Sequence, residues 1–317
     1  MMPPAELVRA VAGQADRTAA PSVAALVAAV LARHGAAVQA VVFYGSCLRA
    51  GDDADGLFDL YVLVDSYRAA NRDRLRAALN HLLPPNVFYL EVDIPGRLVR
   101  AKYALLSLAA LDRGTSSRSF HSSLWARFAQ PVALVWTRDQ RVAARVHRAC
   151  ARAVCTFITR MVPMLPACWT AAELWRQGLD LTYRAEFRPE RPERQQELFD
   201  ASAAWFAEVT ALALPGLELA VTRTGEADRT RYHTDLSPAA RRRARLAWAV
   251  RILQGKVLSV LRLAKATLTF AGGVDYILWK VERHSGVRVE VSPFLRRHPL
   301  LALCRLSLQL YRRGGVR

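Results

Sequence analysis

Residues 40–64 constrain the fold of this chain more than any other stretch. Two apolar runs, 40–44 and 57–64, flank Gly45-Ser46 and a polar loop. The runs are rich in β-branched and aromatic residues, which predicts two buried strands. Asp59 sits inside the second run with no charge partner nearby in sequence. A carboxylate in a buried strand is costly unless something compensates it, such as a metal ion. Gly45 allows a close backbone approach, and Ser46 offers a hydroxyl and an N–H to a phosphate.

The rest of the chain has to supply a body around that element. Its 317 residues suffice for two domains, or for one with an extension, and 52% hydrophobic residues are enough to build a core. Apolar residues recur at helical spacing over 3–14 and 21–34, and Gly35 suits the end of the second helix. The pattern predicts an amphipathic helix over 66–83, with Arg72, Arg74 and Arg76 on its polar side, and a third strand over 86–94. In that strand Glu91 and Asp93 point to one side, because side chains alternate. Pro95-Gly96 then turns the chain.

Residues 103–168 read as mostly helical, with helices over 104–112, 116–128 and 138–161. Another helix is expected over 169–183. The proline-broken, alternating-charge segment 184–193 cannot continue it. Helical periodicity returns over 195–214, and 215–235 is a polar break. A basic amphipathic run follows from 241 to 270, with Leu246, Leu253, Val257, Val260, Leu261 and Leu268 on its apolar side. Gly272-Gly273 ends it, and shorter helices are expected over 274–283 and 300–313. The fold class is therefore α+β: a small mixed-sheet core over 1–112, a mainly helical domain over 113–214, and a basic helical extension over 215–317.

A net charge of +18 is not needed for folding and points to a polyanionic partner: nucleic acid, an anionic membrane or a phosphorylated substrate. The chain has no RNA-recognition signature, so nucleic acid is not the expected partner. Its five cysteines are scattered without a Cys-x-x-Cys pair, which argues for reduced thiols and against structural zinc. Residues 1–20 carry Glu6 and Asp16 and lack the apolar core of a signal peptide. No run reaches eighteen uncharged apolar residues, so an integral membrane protein is not expected. A basic amphipathic helix can lie in a membrane interface, where each Lys or Arg contributes about 1 kcal/mol near an anionic surface. The same helix can equally pack on a core with its charges in water. Asp52, Asp53 and Asp55 read as a solvated turn. The hydroxyl-rich loop 114–119 fits either a phosphate or a helix N-cap.

The opening element resembles the polymerase-β-like nucleotidyltransferases, whose apolar-Gly-Ser turn precedes a strand bearing two carboxylates. Here Tyr61 stands where the second carboxylate would fall. Phe43-Tyr44-Gly45-Ser46 and the single-Asp strand 58–65 resemble more closely a narrower group, the mitochondrial-type (Tam41-type) phosphatidate cytidylyltransferases. Segments 86–89, 96–99, 102–107, 123–132 and 178–188 are similar to that family's later motifs, in the same order. The chain departs from them at Cys47, at Gln130 for Lys, and at Ala185-Glu186 for Gly-Asp.

The resemblance implies transfer of a cytidylyl group from CTP to phosphatidic acid with Mg²⁺, giving CDP-diacylglycerol and pyrophosphate. It implies that Gly45 and Ser46 hold the CTP phosphates, with Tyr44 a further substrate-binding residue, and that Asp59 binds Mg²⁺. Glu91, with Asp93 behind it, is the candidate second metal ligand. Arg97 and Lys102 are candidates for neutralising phosphate charge, with Lys102 counted in the catalytic set. Tyr183, Glu186 and Arg188 are further substrate-binding candidates. A lipid acceptor implies peripheral attachment to the inner face of the cell membrane, or to the matrix side of the inner membrane in a mitochondrion. Two other classes fit the same residues: a nucleotidyltransferase acting on RNA or a small molecule, and a non-catalytic binding protein with a degenerate core.

Overall fold

The structure is a computed structural model that describes residues 2–50, 56–71, 73–186, 197, 199–225 and 230–269. It is α+β, with a mixed five-stranded sheet, a small three-stranded sheet and a mostly helical remainder. Helices α1 (Ala5–Ala15) and α2 (Pro21–His34) lead into strand β1 (Val38–Tyr44). The short helix α3 (Ser46–Ala50) and strand β2 (Leu57–Val64) follow. Helices α4 (Tyr67–Ala70) and α5 (Arg74–Leu82) precede a hairpin of β3 (Asn86–Ile94) and β4 (Arg97–Ser107). Helices α6 (Leu108–Thr115) and α7 (Ser123–Phe128) then bring the chain to β5 (Ala133–Thr137).

The large sheet runs β3-β4-β2-β1-β5, with β2 and β4 parallel and the other pairs antiparallel. Leu60, Val62, Leu63 and Val64 of β2 are fully buried. Each contributes roughly 1.5–3 kcal/mol, which together outweighs the cost of one partly exposed carboxylate in the same strand. The register puts Leu60, Tyr103 and Phe88 on one face of the sheet. Helix α2 covers this face: His34 Nε2 is 3.0 Å from the Tyr103 hydroxyl, and the Arg33 guanidinium lies 5.1 Å from the Phe88 ring centre. The opposite face carries Tyr44, Asp59, Tyr61 and Lys102, and meets α7 through a Tyr61–Phe128 ring contact at 5.0 Å.

The helical part is built on α8 (Gln140–Met161), whose aromatic neighbours form a continuous stack. Phe157 lies 4.3 Å from Trp175 of α9 (Ala171–Arg184), and Trp175 lies 4.4 Å from Phe206 of α10 (Ala203–Ala213). Strands β6 (Cys168–Trp169), β7 (Val221–Thr224) and β8 (Arg231–Thr234) form the small sheet. The long helix α11 (Pro238–Thr269) returns across the molecule. Its Trp248 donates to the Arg160 carbonyl at 3.0 Å. A Cβ at Gly255 would collide with the Ala185 carbonyl oxygen, so glycine is what lets α11 reach the end of α9.

Several elements differ from the sequence expectation. The helix expected over 66–83 is two helices, because Asp73 caps α5 by accepting from Leu75 and Arg76 N–H while Asn71 bonds the Tyr67 carbonyl. Residues 97–107, with 104–107 expected to be helical, are a strand pairing on both sides. Ser107 then caps α6 by accepting from Ala110 N–H. Only Ser123–Phe128 of the helix expected over 116–128 forms, and β5 is not among the expected strands. Residues 215–235, read as a polar break, contain the β7–β8 hairpin. The boundary drawn at residue 112 falls inside α6, and β5 from beyond it completes the large sheet. The breaks and helices expected beyond residue 269, and the loop aspartates 52, 53 and 55, lie outside the described residues.

Candidate active site

The site forms at one end of the β1–β2 pair. Gly45 follows β1 with φ +92°, a left-handed conformation that glycine adopts at little cost. A Cβ at Gly45 would sit 3.0 Å from Asp59 Oδ2, so space also favours glycine there. Tyr44 and Asp59 are direct cross-strand partners. Thus the Gly-Ser turn and the strand carboxylate abut one another. Ser46 is exposed and opens α3. Cys47, where the family resemblance has a smaller residue, is buried: its thiol donates to the Leu57 carbonyl at 3.3 Å and tucks against Gly56.

Asp59 meets Lys102, its register partner on β4, with Nζ 3.1 Å from Oδ1. The two form an ion pair, but the approach is misaligned for a hydrogen bond, and Oδ1 is enclosed without a hydrogen-bond partner. Oδ1 thus already faces one cation, the Lys102 ammonium, while Oδ2 lies beside Gly45. Among the described residues no cluster of three or more His, Cys, Asp or Glu could hold a metal. Mg²⁺, however, commonly binds through one or two carboxylates together with substrate phosphates. Asp59 alone therefore meets the minimum for Mg²⁺ bound together with a triphosphate.

Glu91 does not join Asp59. Strand β4 intervenes between β3 and β2, and Glu91 pairs with Arg100, two residues along from the Tyr89–Lys102 pair. Strand spacing puts Glu91 roughly 12 Å from Asp59. It is engaged there by Arg100 Nε at 3.0 Å and by the Tyr89 hydroxyl at 2.8 Å. Asp93 lies further out, exposed near the hairpin tip. Arg97 is five residues from Lys102, so it faces the other side of the sheet, where it donates to Ser22 Oγ of α2. The sequence pattern puts Glu91, Asp93 and Arg97 in the site only if β3 lies next to β2, and β4 occupies that place.

The tertiary structure supplies other neighbours. Arg127 of α7 places its guanidinium 5.1 Å from the Tyr44 ring centre, and Glu186 Oε1 lies 3.9 Å from it. Burial works against the Arg127 charge, but the oxygens of Tyr44, Tyr183, Glu186 and Tyr61 outweigh it and raise its pKa. Burial pushes the Tyr44 phenol well above its ordinary range and that of Tyr61 upward, so both are neutral donors at physiological pH. Tyr61 lies against Tyr44, with the ring centres 5.0 Å apart and the planes tilted by 32°. Tyr183 and Glu186 fall beside Arg127, while Arg188 lies outside the described residues. Arg127 itself, and Arg262 of α11, are not among the expected site residues. Arg127 stands in the 123–132 segment, the one signal that pointed to it. Arg262 gave none, because its approach depends on the path of α11.

Beside Glu186 lies a cavity of about 290 Å³ that reaches Arg262 and His121. A larger one of about 440 Å³ adjoins it, sharing Arg262 and His121. The arrangement therefore offers one carboxylate oxygen for a cation, a hydroxyl-bearing turn beside it, and guanidinium groups further along. No protein-family model matches the chain, and no curated protein is significantly similar to it.

Proposed function

We propose that the protein is a phosphatidate cytidylyltransferase, transferring the cytidylyl group of CTP to phosphatidic acid. The observation that carries this reading is the contact between the Gly45 turn and the Asp59 carboxylate, which brings a phosphate-binding turn and a cation ligand to one point. In this reading a phosphate oxygen of phosphatidic acid attacks the α-phosphorus of CTP. The α–β phosphoanhydride bond breaks and pyrophosphate leaves with its electron pair. Phosphoryl-type transfer asks the protein mainly for positioning and charge neutralisation.

The chain's own residues fill those roles. Gly45 admits the triphosphate against the backbone, and the Ser46 hydroxyl donates to it. Lys102, already on the Asp59 side of the sheet, supplies an ammonium to the triphosphate. Arg127 fixes Tyr44 through the ring contact and counters the charge of Glu186. Asp59 would hold Mg²⁺, which when bound neutralises the triphosphate and stabilises the leaving pyrophosphate.

The acceptor resides in a bilayer, so the protein has to reach a membrane surface. Among the described residues no helix is long and apolar enough to cross one. Leu246, Val250, Leu253, Val257, Val260 and Leu261 form an exposed apolar stripe along α11, beside exposed Arg242, Arg243 and Arg245. A stripe of this kind supports peripheral attachment to an anionic surface, the cytoplasmic face of the cell membrane or its mitochondrial counterpart.

The test is pyrophosphate release from CTP and Mg²⁺, with and without phosphatidic acid in detergent micelles. Release that requires phosphatidic acid, with a CDP-lipid product, supports the reading. Release driven by RNA or a small acceptor transfers the site to another nucleotidyltransferase. No release with any acceptor makes this a non-catalytic core.

A further inference from the structure

The 440 Å³ cavity beneath α11 has a composition that the active-site reading does not use. Arg113 and Arg118 line it from one side and Arg262 from the other, with Ser116, Ser119 and His121 between them. Among the described residues no carboxylate lines it. The acids that could offset its charge are engaged elsewhere. Asp112, next to Arg113 in the chain, turns away to Arg145 and Arg152, both at 2.7 Å. Glu186 sits beside Arg127 and reaches Arg262 only through space. Among the described residues none of the three cavity arginines forms an ion pair.

The placement of Arg262 and the shape of the neighbouring loop are also held. Arg262 donates from Nε to the Pro84 carbonyl at 3.0 Å, which orients its fork. The Ser119 hydroxyl donates to the His121 carbonyl at 3.1 Å, and the Ser116 hydroxyl to the Arg113 carbonyl at 2.8 Å, so these serines shape the 113–121 loop. Ser123 Oγ lies 2.9 Å from His121 Nδ1. Burial, with Arg262 and Arg251 nearby, lowers the His121 pKa to about 4, so the ring adds no fourth charge at neutral pH. A cavity lined by three arginines and no acid favours an anion that can accept several hydrogen bonds at once.

We infer that this cavity binds a phosphomonoester dianion. Arg113 grips it from the end of α6, Arg118 from the loop that follows and Arg262 from α11. The inference rests on the proposed function only for the ligand's larger identity: in that reading the phosphomonoester is the head of the phosphatidic acid acceptor. The two cavities share Arg262 and His121, and Glu186 lines the smaller one beside Arg127 and Tyr44. A phosphate held on Arg262 is therefore on the side of the molecule from which a nucleotide at Asp59 is reached.

The experiment uses the full chain, and the phosphate and vesicle titrations contain no CTP. Binding is measured for sn-glycerol 3-phosphate and inorganic phosphate in solution. It is also measured for phosphatidylcholine vesicles doped with phosphatidic acid or, at matched surface charge, with phosphatidylglycerol. Arg113 and Arg118 are exposed, so the R113A/R118A double variant should fold, and its Mg²⁺–CTP binding serves as the internal control. The expected result is a loss of about tenfold or more in affinity for phosphatidic acid vesicles, with phosphatidylglycerol binding unchanged. An R262A variant should lose affinity in the same direction.

A loss seen with glycerol 3-phosphate and inorganic phosphate, but not with vesicles, keeps the phosphomonoester site and makes its ligand soluble. Equal losses on both vesicle types, or wild-type affinity of the double variant for every probe, overturn the site. If phosphate binding behaves as expected but no pyrophosphate is released from CTP, the cavity stands and the cytidylyltransferase reading fails. Phosphatidate-dependent turnover that the double variant leaves intact keeps the cytidylyltransferase reading and overturns the cavity as its acceptor site.

Discussion

The two faces of the large sheet are built from alternating residues of the same strands, yet they do different work. On the face under α2, Phe58, Leu60, Tyr103 and Phe88 are buried and pack on one another. On the other face, Tyr44 and Tyr61 are buried as well, and Asp59 and Lys102 bring polar atoms to a partly open surface, with side chains 24% and 36% exposed. Asp59 is flanked in sequence by two of the most buried residues in the chain and is itself 24% exposed. The contrast teaches that a carboxylate in an apolar run need not be a buried charge. The two-residue period of the strand sorts it to the face where a cation can reach it.

Substitutions can test that division. Asp59→Asn should cut phosphatidate-dependent pyrophosphate release by about a thousandfold, since a metal-holding carboxylate is worth several kcal/mol in the transition state. Its urea midpoint should stay near wild type, and retained turnover would remove Asp59 from the cation role. One residue along, Leu60→Ala should do the reverse. It should lower stability by about 2–5 kcal/mol in urea unfolding and leave the turnover of the folded fraction unchanged. A variant that lost turnover while keeping its stability would erase the distinction between the faces.

Gly45→Ala sits where the two effects meet. Its φ of +92° and the 3.0 Å approach of Asp59 Oδ2 predict strain of about 1–3 kcal/mol together with weaker CTP binding. Titration with a fluorescent CTP analogue should show the second effect and thermal unfolding the first.

A smaller effect concerns pH. The His121 pKa is lowered to about 4 by burial, Arg262 and Arg251, against 6.5 for an ordinary histidine. Between those values the unfolded chain binds the proton and the folded chain does not, so this group makes stability rise with pH. Its contribution is fully present above 6.5, and it is lost as pH falls toward 4. The amount is on the order of 3 kcal/mol. His121→Asn should flatten that part of the stability profile, and an unchanged acid limb would exclude His121 as its source. Smallest of all, Arg97→Ala should change turnover by less than about threefold, because its partner is Ser22 on the α2 face. A large loss of kcat there would return Arg97 to the active site.

Strands β1, β2 and β3 and helices α1, α2, α8 and α9 were legible because their signals are local: β-branched runs, apolar periodicity, a glycine after a helix. The β4 strand was not, since 104–112 reads as a short helix, and its strand state comes from pairing with two partners distant in sequence. The same omission displaced Glu91 and Arg97. Once β4 lies between β3 and β2, a carboxylate on β3 has Arg100 as its nearest cation and cannot share a ligand with Asp59. Lys102 lies beside Asp59 for a reason the sequence did not contain, its register on β4.

By itself, the sequence determined that a glycine-serine turn and a strand carboxylate lie at the ends of adjacent elements, and that the chain carries far more cations than its fold requires. These are properties of short stretches and of sums, which do not depend on how the chain is threaded. Only the tertiary structure decided which charges meet. Arg127 comes to Glu186 from a different helix, and Arg262 closes on the 113–121 loop because Gly255 lets α11 approach the end of α9. Coulomb interactions fall with distance in space and take no account of separation along the chain, so the partners of a charge are known only after the elements have packed.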